Sequence, residues 1–292
     1  MDTDEKLDRL ATLIEERGNV LLLTGAGLST ESGIPDYRSP RSLERKHKPM
    51  TYQQFVGSQA ARQRYWARSH FGWRTIPNAK PNRGHLAVVE LEARGYTVGL
   101  ITQNVDGLHQ RAGSTDVLEL HGSLHRVLCL NCGNRFPRAR LQRQMNELNP
   151  GLKDVEPVIN PDGDAEVPEE VVRGFAVPAC PVCGGVLKPD VIYFGENVPK
   201  ERVEEGMRLV DESGLVLVLG SSLAVMSGLR FVLAAQRQEK PVAAINDGLV
   251  RNQEELFVKV EARLGEALPA LLDKLSGRGG AVRDEAGSNT SA

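Results

Sequence analysis

Gly25-Ala26-Gly27-Leu28-Ser29-Thr30-Glu31-Ser32-Gly33-Ile34-Pro35-Asp36-Tyr37-Arg38-Ser39 is the stretch on which the reading of this chain turns. It follows Val20-Leu21-Leu22-Leu23, an apolar run with the length of a buried strand. In α/β proteins a strand that runs into Gly-x-Gly brings backbone amides up to a pyrophosphate. The glycines permit the turn and clear side chains from the approach, and the next helix end adds its partial positive charge. A hydride-transfer fingerprint would place a third glycine three residues on, where this chain has Thr30. It would also need an acidic strand end about 20 residues later, which is missing. The Pro-stiffened turn Gly33 to Arg38 instead sets an acid, an aromatic ring and a fixed cation beside the phosphate loop.

The 292 residues carry 36 basic and 38 acidic side chains, a net charge of −2, and 40% are hydrophobic. That is the composition of a soluble globular enzyme with one sizeable core and a satellite module. No global field recruits nucleic acid or a membrane surface, and no apolar run approaches the roughly 20 residues that span a bilayer. The acidic start, Met1 to Lys6, is unlike a signal or transit peptide, so a cytoplasmic protein is expected.

Leu7, Leu10, Ala11 and Ile14 repeat at helical spacing and give a first helix that ends near Gly18. Residues 40–81 read as a helical insertion whose aromatics form a small core of their own. Within it, Tyr65 and Arg68 lie three apart on one helix face. On spacing alone they are an arginine packed beside a tyrosine, although a phenol with a guanidinium also suits a carboxylate. A helix over 82–94 precedes a strand over 97–102, which ends in Gln103-Asn104-Val105-Asp106. Three hydrogen-bonding side chains there lie where open α/β sheets bind ligands, and Asp106 by itself also suits a helix cap. Val117 to Leu120 is a short strand delivering His121-Gly122. Leu187 to Glu196 is expected to return the chain to the main sheet. Buried strands over 214–219 and 241–245 end in Gly220-Ser221-Ser222 and Asn246-Asp247-Gly248, and a last strand covers 256–260 before a terminal helix from Leu264.

These readings give an α/β fold with a doubly wound, mostly parallel Rossmann-like sheet. It is assembled from residues 1–39, 82–123 and 188–275, with the helical insertion at 40–81, a smaller zinc-binding module at 124–187 and a disordered tail at 276–292. Five ligand-like clusters at strand carboxyl ends define one crevice. The four cysteines fall in two pairs, Cys129-x-x-Cys132 and Cys180-x-x-Cys183. A Cys₂His₂ set of His121, His125, Cys129 and Cys132 would orphan the second pair. The Cys₄ pairing uses every thiol and gives a closed, structural Zn²⁺ site. The 137–178 gap must then hold an inserted helix and a loop. His121 is left free for proton transfer near pH 7.

Thr24-Gly25-Ala26-Gly27 with Ser32-Gly33-Ile34-Pro35-Asp36-Tyr37-Arg38 closely resembles the signature of the sirtuins, NAD-dependent protein-lysine deacylases. The likeness runs over about residues 18–275 and is nearest to the class II branch, through Glu31, Arg64-Tyr65-Trp66-Ala67-Arg68, Val127-Leu128-Cys129-Leu130 and Pro161-Asp162-Gly163-Asp164. It implies that NAD is a co-substrate held by Gly25, Ala26, Gly27, Thr30, Asp36, Tyr37 and Arg38. Gln103 and Asn104 would meet the nicotinamide ribose and an attacking water, with Val105 beside them, and Asp106 the nicotinamide carboxamide. Gly220, Ser221, Ser222, Asn246, Asp247 and Gly248 would hold the adenosine half, and the Leu264 amide would meet adenine. His121 would be the general base on the ribose, with Asn104 as its catalytic partner.

By the same likeness an acylated lysine adds as a strand between Phe194-Gly195-Glu196 and the stretch reaching Val225. Phe194 alone also reads as an ordinary strand end. Tyr65 and Arg68 fall where sirtuins that remove acidic acyl groups carry a Tyr-x-x-Arg pair. The implied products are nicotinamide, free lysine and an O-acyl-ADP-ribose, although some members of the branch are ADP-ribosyltransferases or lipoamidases. The expected partners are acylated lysine side chains of proteins, with no membrane, no direct nucleic-acid contact, and a monomeric enzyme. Where many sirtuins have x-Pro-Ala after Val225, this chain has Met226-Ser227-Gly228.

Overall fold

Short Leu/Val-rich runs separated by helical stretches force parallel pairing through crossovers, because each strand must be covered on both faces. The computed structural model describes residues 1–36, 49–152, 158–159 and 165–279. Helix α1 (Thr3–Arg17) opens with a capping box between Asp2 and Glu5 and buries Leu7, Leu10, Ala11, Leu13 and Ile14. Strand β1 (Val20–Thr24) is buried along its whole length. The insertion supplies α2 (Tyr52–Gly57) and α3 (Gln59–Gly72). Then come α4 (Arg83–Ala93), capped by Asn82, and β2 (Thr97–Thr102). Helix α5 (Leu108–Ala112) and β3 (Val117–Glu119) complete this half.

The smaller module contains β4 (Gly122–Cys129), β5 (Arg135–Pro137), α6 (Arg138–Leu148), β6 (Val158–Ile159), β7 (Ala165–Glu166), α7 (Glu169–Gly174) and β8 (Leu187–Val191). The chain closes with α8 (Lys200–Glu212), β9 (Leu215–Leu219), α9 (Met226–Arg237), β10 (Val242–Ile245), β11 (Val258–Val260) and α10 (Leu264–Gly279). The last helix runs past the expected start of the tail at Ser276. Among the described residues no helix is long and apolar enough to cross a membrane.

The main sheet has the order β11-β10-β9-β1-β2-β3, and every pairing is parallel. Alternation along the strands divides the core. Leu22, Leu100, Leu217 and Ile245 pack against α1, α4 and α10. Leu21, Leu23, Val216, Val218 and Ala244 pack against α8 and α9. The chain builds outward from β1 to β3 and then restarts on the other side of β1 with β9. That reversal opens a crevice above β1 and β9, the place where doubly wound sheets bind ligands.

One expectation is corrected. Leu187 to Val191 does not rejoin the main sheet; β8 pairs antiparallel with β4 in a separate sheet of order β5-β4-β8. The insertion's aromatics are core residues, as expected, but the core is not theirs alone. Phe55, Tyr65 and Trp66 are buried together with Val127, Leu141, Met145, Phe175 and the thiols Cys129 and Cys180. Insertion and smaller module therefore form one wall, and Arg138 of α6 is buried in it over the rings of Trp66 and Trp73. Helices α6 and α7 fill the gap between the cysteine pairs.

Candidate active site

The loop after β1 is built by close backbone approach. A Cβ at Gly25 would lie 2.8 Å from the Gly220 oxygen, and one at Gly27 2.8 Å from the same atom. The Gly25 amide donates to Leu219 O at 2.9 Å and the Gly27 amide to Gly220 O at 2.8 Å. These glycines thus lock the β1 loop onto the β9 loop, and their amides are already used. The Ala26 amide is among the loop amides with no partner among the described residues. Two three-residue 3₁₀ turns, Ala26–Leu28 and Thr30–Ser32, stand where a helix end was expected, so little macrodipole points at the crevice. Thr30 is exposed and donates to Gly27 O at 2.9 Å. Asp36 is described, whereas Tyr37 and Arg38 lie outside the described residues, as does Pro161 to Asp164.

Beneath this loop lies a buried polar chain. Asn104 Nδ2 donates to Gly25 O at 3.0 Å and to Ser29 Oγ at 3.1 Å. Ser29 Oγ in turn donates to Asp106 Oδ2 at 2.7 Å, and the Leu108 amide donates to Asp106 Oδ1 at 2.9 Å. Asp106 is only 5% exposed. Burial raises its pKa, while the Leu108 amide and the Ser29 hydroxyl pull the other way by favouring the carboxylate. One oxygen thus serves the local cap and the other accepts from Ser29. Ser29 was not singled out in the sequence; its signal was its place two residues after Gly27 in the same loop.

A second chain crosses the crevice. Gln103 Nε2 donates to Ser221 Oγ at 2.8 Å, and the Gln103 carbonyl lies 3.0 Å from His121 Nδ1. On its other side His121 Nε2 is 2.8 Å from Ser227 Oγ. Burial lowers the His121 pKa, the Gln103 carbonyl opposes this, and the Arg202 charge adds to the lowering. The imidazole is therefore neutral at pH 7, as a proton acceptor must be. Gly122 makes the turn that delivers it: at φ +81, with a Cβ only 2.0 Å from Asp190 O, no side chain fits.

The adenosine-side residues meet at the neighbouring strand ends. Asn246 Nδ2 donates to Gly248 O at 3.1 Å, Asp247 is exposed, and the Ser222 carbonyl accepts from Arg251. Leu264 is buried at the start of α10, and its amide has no partner among the described residues. Glu31 Oε2 accepts the Gly265 amide at 2.8 Å and so fixes that helix end.

The proposed peptide edge is partly committed already. Tyr52 N–H donates to Phe194 O at 3.0 Å and Gln53 Nε2 to Gly195 O at 3.1 Å. Phe194 is 46% exposed. The Glu196 carboxylate turns inward, 3.0 Å from the buried Lys188 ammonium, and accepts the Tyr193 amide at 2.9 Å. Burial lowers the Lys188 pKa, and Glu196 opposes it. Val225 caps α9.

Tyr65 and Arg68 each have partners within the wall. Tyr65 is buried edge-on against Phe55, Trp66 and Tyr193. Arg68 donates to Ala165 O at 2.9 Å and pairs with Glu166 at 3.1 Å, both on β7.

The four thiols converge. The sulfurs of Cys129, Cys132, Cys180 and Cys183 lie within 4.8 Å of one another, with 3.6 Å between Cys129 and Cys183 and 3.8 Å between Cys132 and Cys180. Zn–S bonds of about 2.3 Å at tetrahedral angles require sulfurs about 3.8 Å apart, so the set fits zinc and leaves no open position. The Cys₂His₂ alternative fails: His125 Nε2 is 2.8 Å from Asp106 O and its ring stacks edge-on with Trp73.

A family model described as Sir2 family matches residues 25–227. A curated relative from Streptomyces coelicolor, "NAD-dependent protein deacetylase 1", is 54% identical over 263 residues, covering 90% of this chain and 88% of its own length. A solved structure of Sir2 with p53 peptide and NAD+ is 27% identical with a TM-score of 0.72, covering 94% of this chain and 98% of that one. Another, of a Sir2 variant with deacetylated p53 peptide and 3'-O-acetyl ADP ribose, is 26% identical with a TM-score of 0.74 over 94% of this chain and 98% of its own. The crevice above β1 and β9, the His121 turn and the four-thiol cluster are thus found in a chain that belongs to the Sir2 family.

Proposed function

We propose that this chain is an NAD-dependent protein-lysine deacylase that acts on acetyl-lysine side chains and releases nicotinamide and O-acetyl-ADP-ribose. One observation carries the reading. A neutral imidazole, held through both ring nitrogens, stands at the rim of a crevice whose floor is the buried Asn104–Ser29–Asp106 chain. The family's curated relatives named for this activity support it.

Bound along the crevice, NAD supplies a nicotinamide–ribose bond that the substrate's acyl oxygen can break. The Ala26 and Leu264 amides are the open donors for its pyrophosphate and adenine ends. Asp106 accepts the carboxamide N–H, buried where water competes poorly. Asn104 and Gln103 fix the ribose side through loops already pinned to Gly25 and Ser221. His121 takes a ribose hydroxyl proton at Nε2, while its Nδ1–H stays bonded to the Gln103 carbonyl and stabilises the imidazolium. Zinc on the four thiols holds the wall and performs no chemical step. The site assignments, including Tyr37 and Arg38 at the loop and Phe194 to Val225 at the peptide edge, belong to this proposal. A cytoplasmic monomer acting on proteins, without nucleic acid, fits the near-neutral charge.

The acyl preference follows from Arg68. Its guanidinium is paired with Glu166, so a neutral acetyl group suits the wall better than a carboxylated one. The test is His121→Ala: deacetylation falls at least 100-fold, with NAD affinity and zinc content unchanged. Deacetylation within a few-fold of wild type would overturn the assignment of the base.

A further inference from the structure

The Ser227 hydroxyl lies 2.8 Å from His121 Nε2, the nitrogen to which the reaction assigns the proton. The other nitrogen fixes the tautomer. The Gln103 carbonyl, 3.0 Å from Nδ1, is an acceptor only, so Nδ1 carries the hydrogen and Nε2 the lone pair. Ser227 therefore donates to Nε2 in the neutral enzyme. A neutral imidazole nitrogen has one in-plane lone pair, so the position that Ser227 fills is the one a sugar hydroxyl must take.

From this geometry, and resting on the reading of His121 as the base, we propose that Ser227 is a positioning residue for the acyl-transfer half of the reaction. It holds the ring between β2's loop and α9 with Nε2 aimed along the crevice. As the sugar hydroxyl enters, the Ser227 O–H rotates off the Nε2 lone pair; the sugar proton then passes to Nε2, and the new N–H is shared between the sugar oxygen and the Ser227 oxygen. The sugar oxygen keeps the electron pair for attack on the acyl carbon, and Ser227 keeps its own proton.

The position of Ser227 is constrained by its neighbours. It is the second residue of α9, and the next, Gly228, lies so close to Gln103 that a Cβ would be 2.7 Å from Oε1. The helix end, the Gln103 loop and the imidazole are thus packed against one another. Two further elements touch the histidine: Ile192 N–H after β8 holds the His121 carbonyl at 2.8 Å, and α8 presents Arg202, the charged group that acts on the ring.

The experiment separates the two halves of the reaction. Nicotinamide departs before the base acts, so exchange of labelled nicotinamide into NAD in the presence of acetyl-lysine peptide reports the first half. Formation of free lysine reports both. Ser227→Ala and Ser227→Val are expected to lower deacetylation about tenfold while exchange stays within twofold, and Ser227→Thr, which restores a hydroxyl on the Val shape, recovers most of the loss. His121→Ala in the same assays marks the base itself. Equal deacetylation by the Ala, Val and Thr variants, or a parallel fall of exchange and deacetylation, overturns the role of Ser227. Full deacetylation by His121→Ala would instead remove the reading on which it rests.

Discussion

Ser29→Ala tests the buried chain beneath the crevice. The substitution deletes a 2.7 Å bond donated to Asp106 and a 3.1 Å bond received from Asn104. Both acceptor and donor partners are below a tenth exposed, so water does not replace what is lost. A hydrogen bond to a charged group contributes about 1.5–3 kcal/mol, which corresponds to about 10- to 150-fold in kcat/KM if Asp106 must be ionised to act. The sign follows from the direction of the shift. Burial already raises the Asp106 pKa, and Ser29 is one of the two donors holding it down. Without that donor the carboxylate protonates at higher pH, so activity is lost first on the acid side and partly regained as pH rises. The assay is kcat/KM for acetyl-lysine peptide between about pH 6 and 9, with zinc content as the folding control. A variant within twofold of wild type at neutral pH, with an unmoved acid limb, would refute the reasoning.

Two other expectations concern the wall of the crevice. Chelation of the metal, or Cys132→Ser, opens the core that Cys129 and Cys180 share with the insertion; because Trp66 is buried there, its emission shifts to the red as activity is lost. Metal extraction with unchanged emission would contradict a structural site. Glu166→Gln releases Arg68 from a half-exposed ion pair and raises the glutaryl-to-acetyl turnover ratio by up to about fivefold, the range of about 0–1 kcal/mol for such pairs. An unchanged ratio in the peptide panel would show that Arg68 does not reach the acyl group.

The parts of this molecule that were legible in its sequence are those that local pattern determines. Val20–Thr24, Thr97–Thr102 and Leu215–Leu219 are uninterrupted strand-length runs, and each delivers its polar cluster to the same rim. The two Cys-x-x-Cys knuckles carry their own spacing. What local pattern could not show was partner choice. Leu187 to Val191 is fully buried and would look the same in either sheet, so nothing local told that it pairs with β4. Spacing put Tyr65 and Arg68 on one face of α3 but could not reveal that Glu166, about a hundred residues away, meets the guanidinium. The glycines of the first loop permit a close backbone approach, as read, but the approach seen is to Gly220, and it consumes two of the amides. Ser29 and Ser227 are small hydroxyls with no motif of their own, and only the folded crevice brings them to Asp106 and His121.

The central claim is that cleavage of the nicotinamide bond is coupled to an acylated lysine seated across the crevice. Nicotinamide and free lysine, measured together in the presence and absence of acetyl-lysine peptide, test it most directly. The account predicts one nicotinamide per lysine freed and negligible release without peptide; nicotinamide release that ignores the peptide would contradict it.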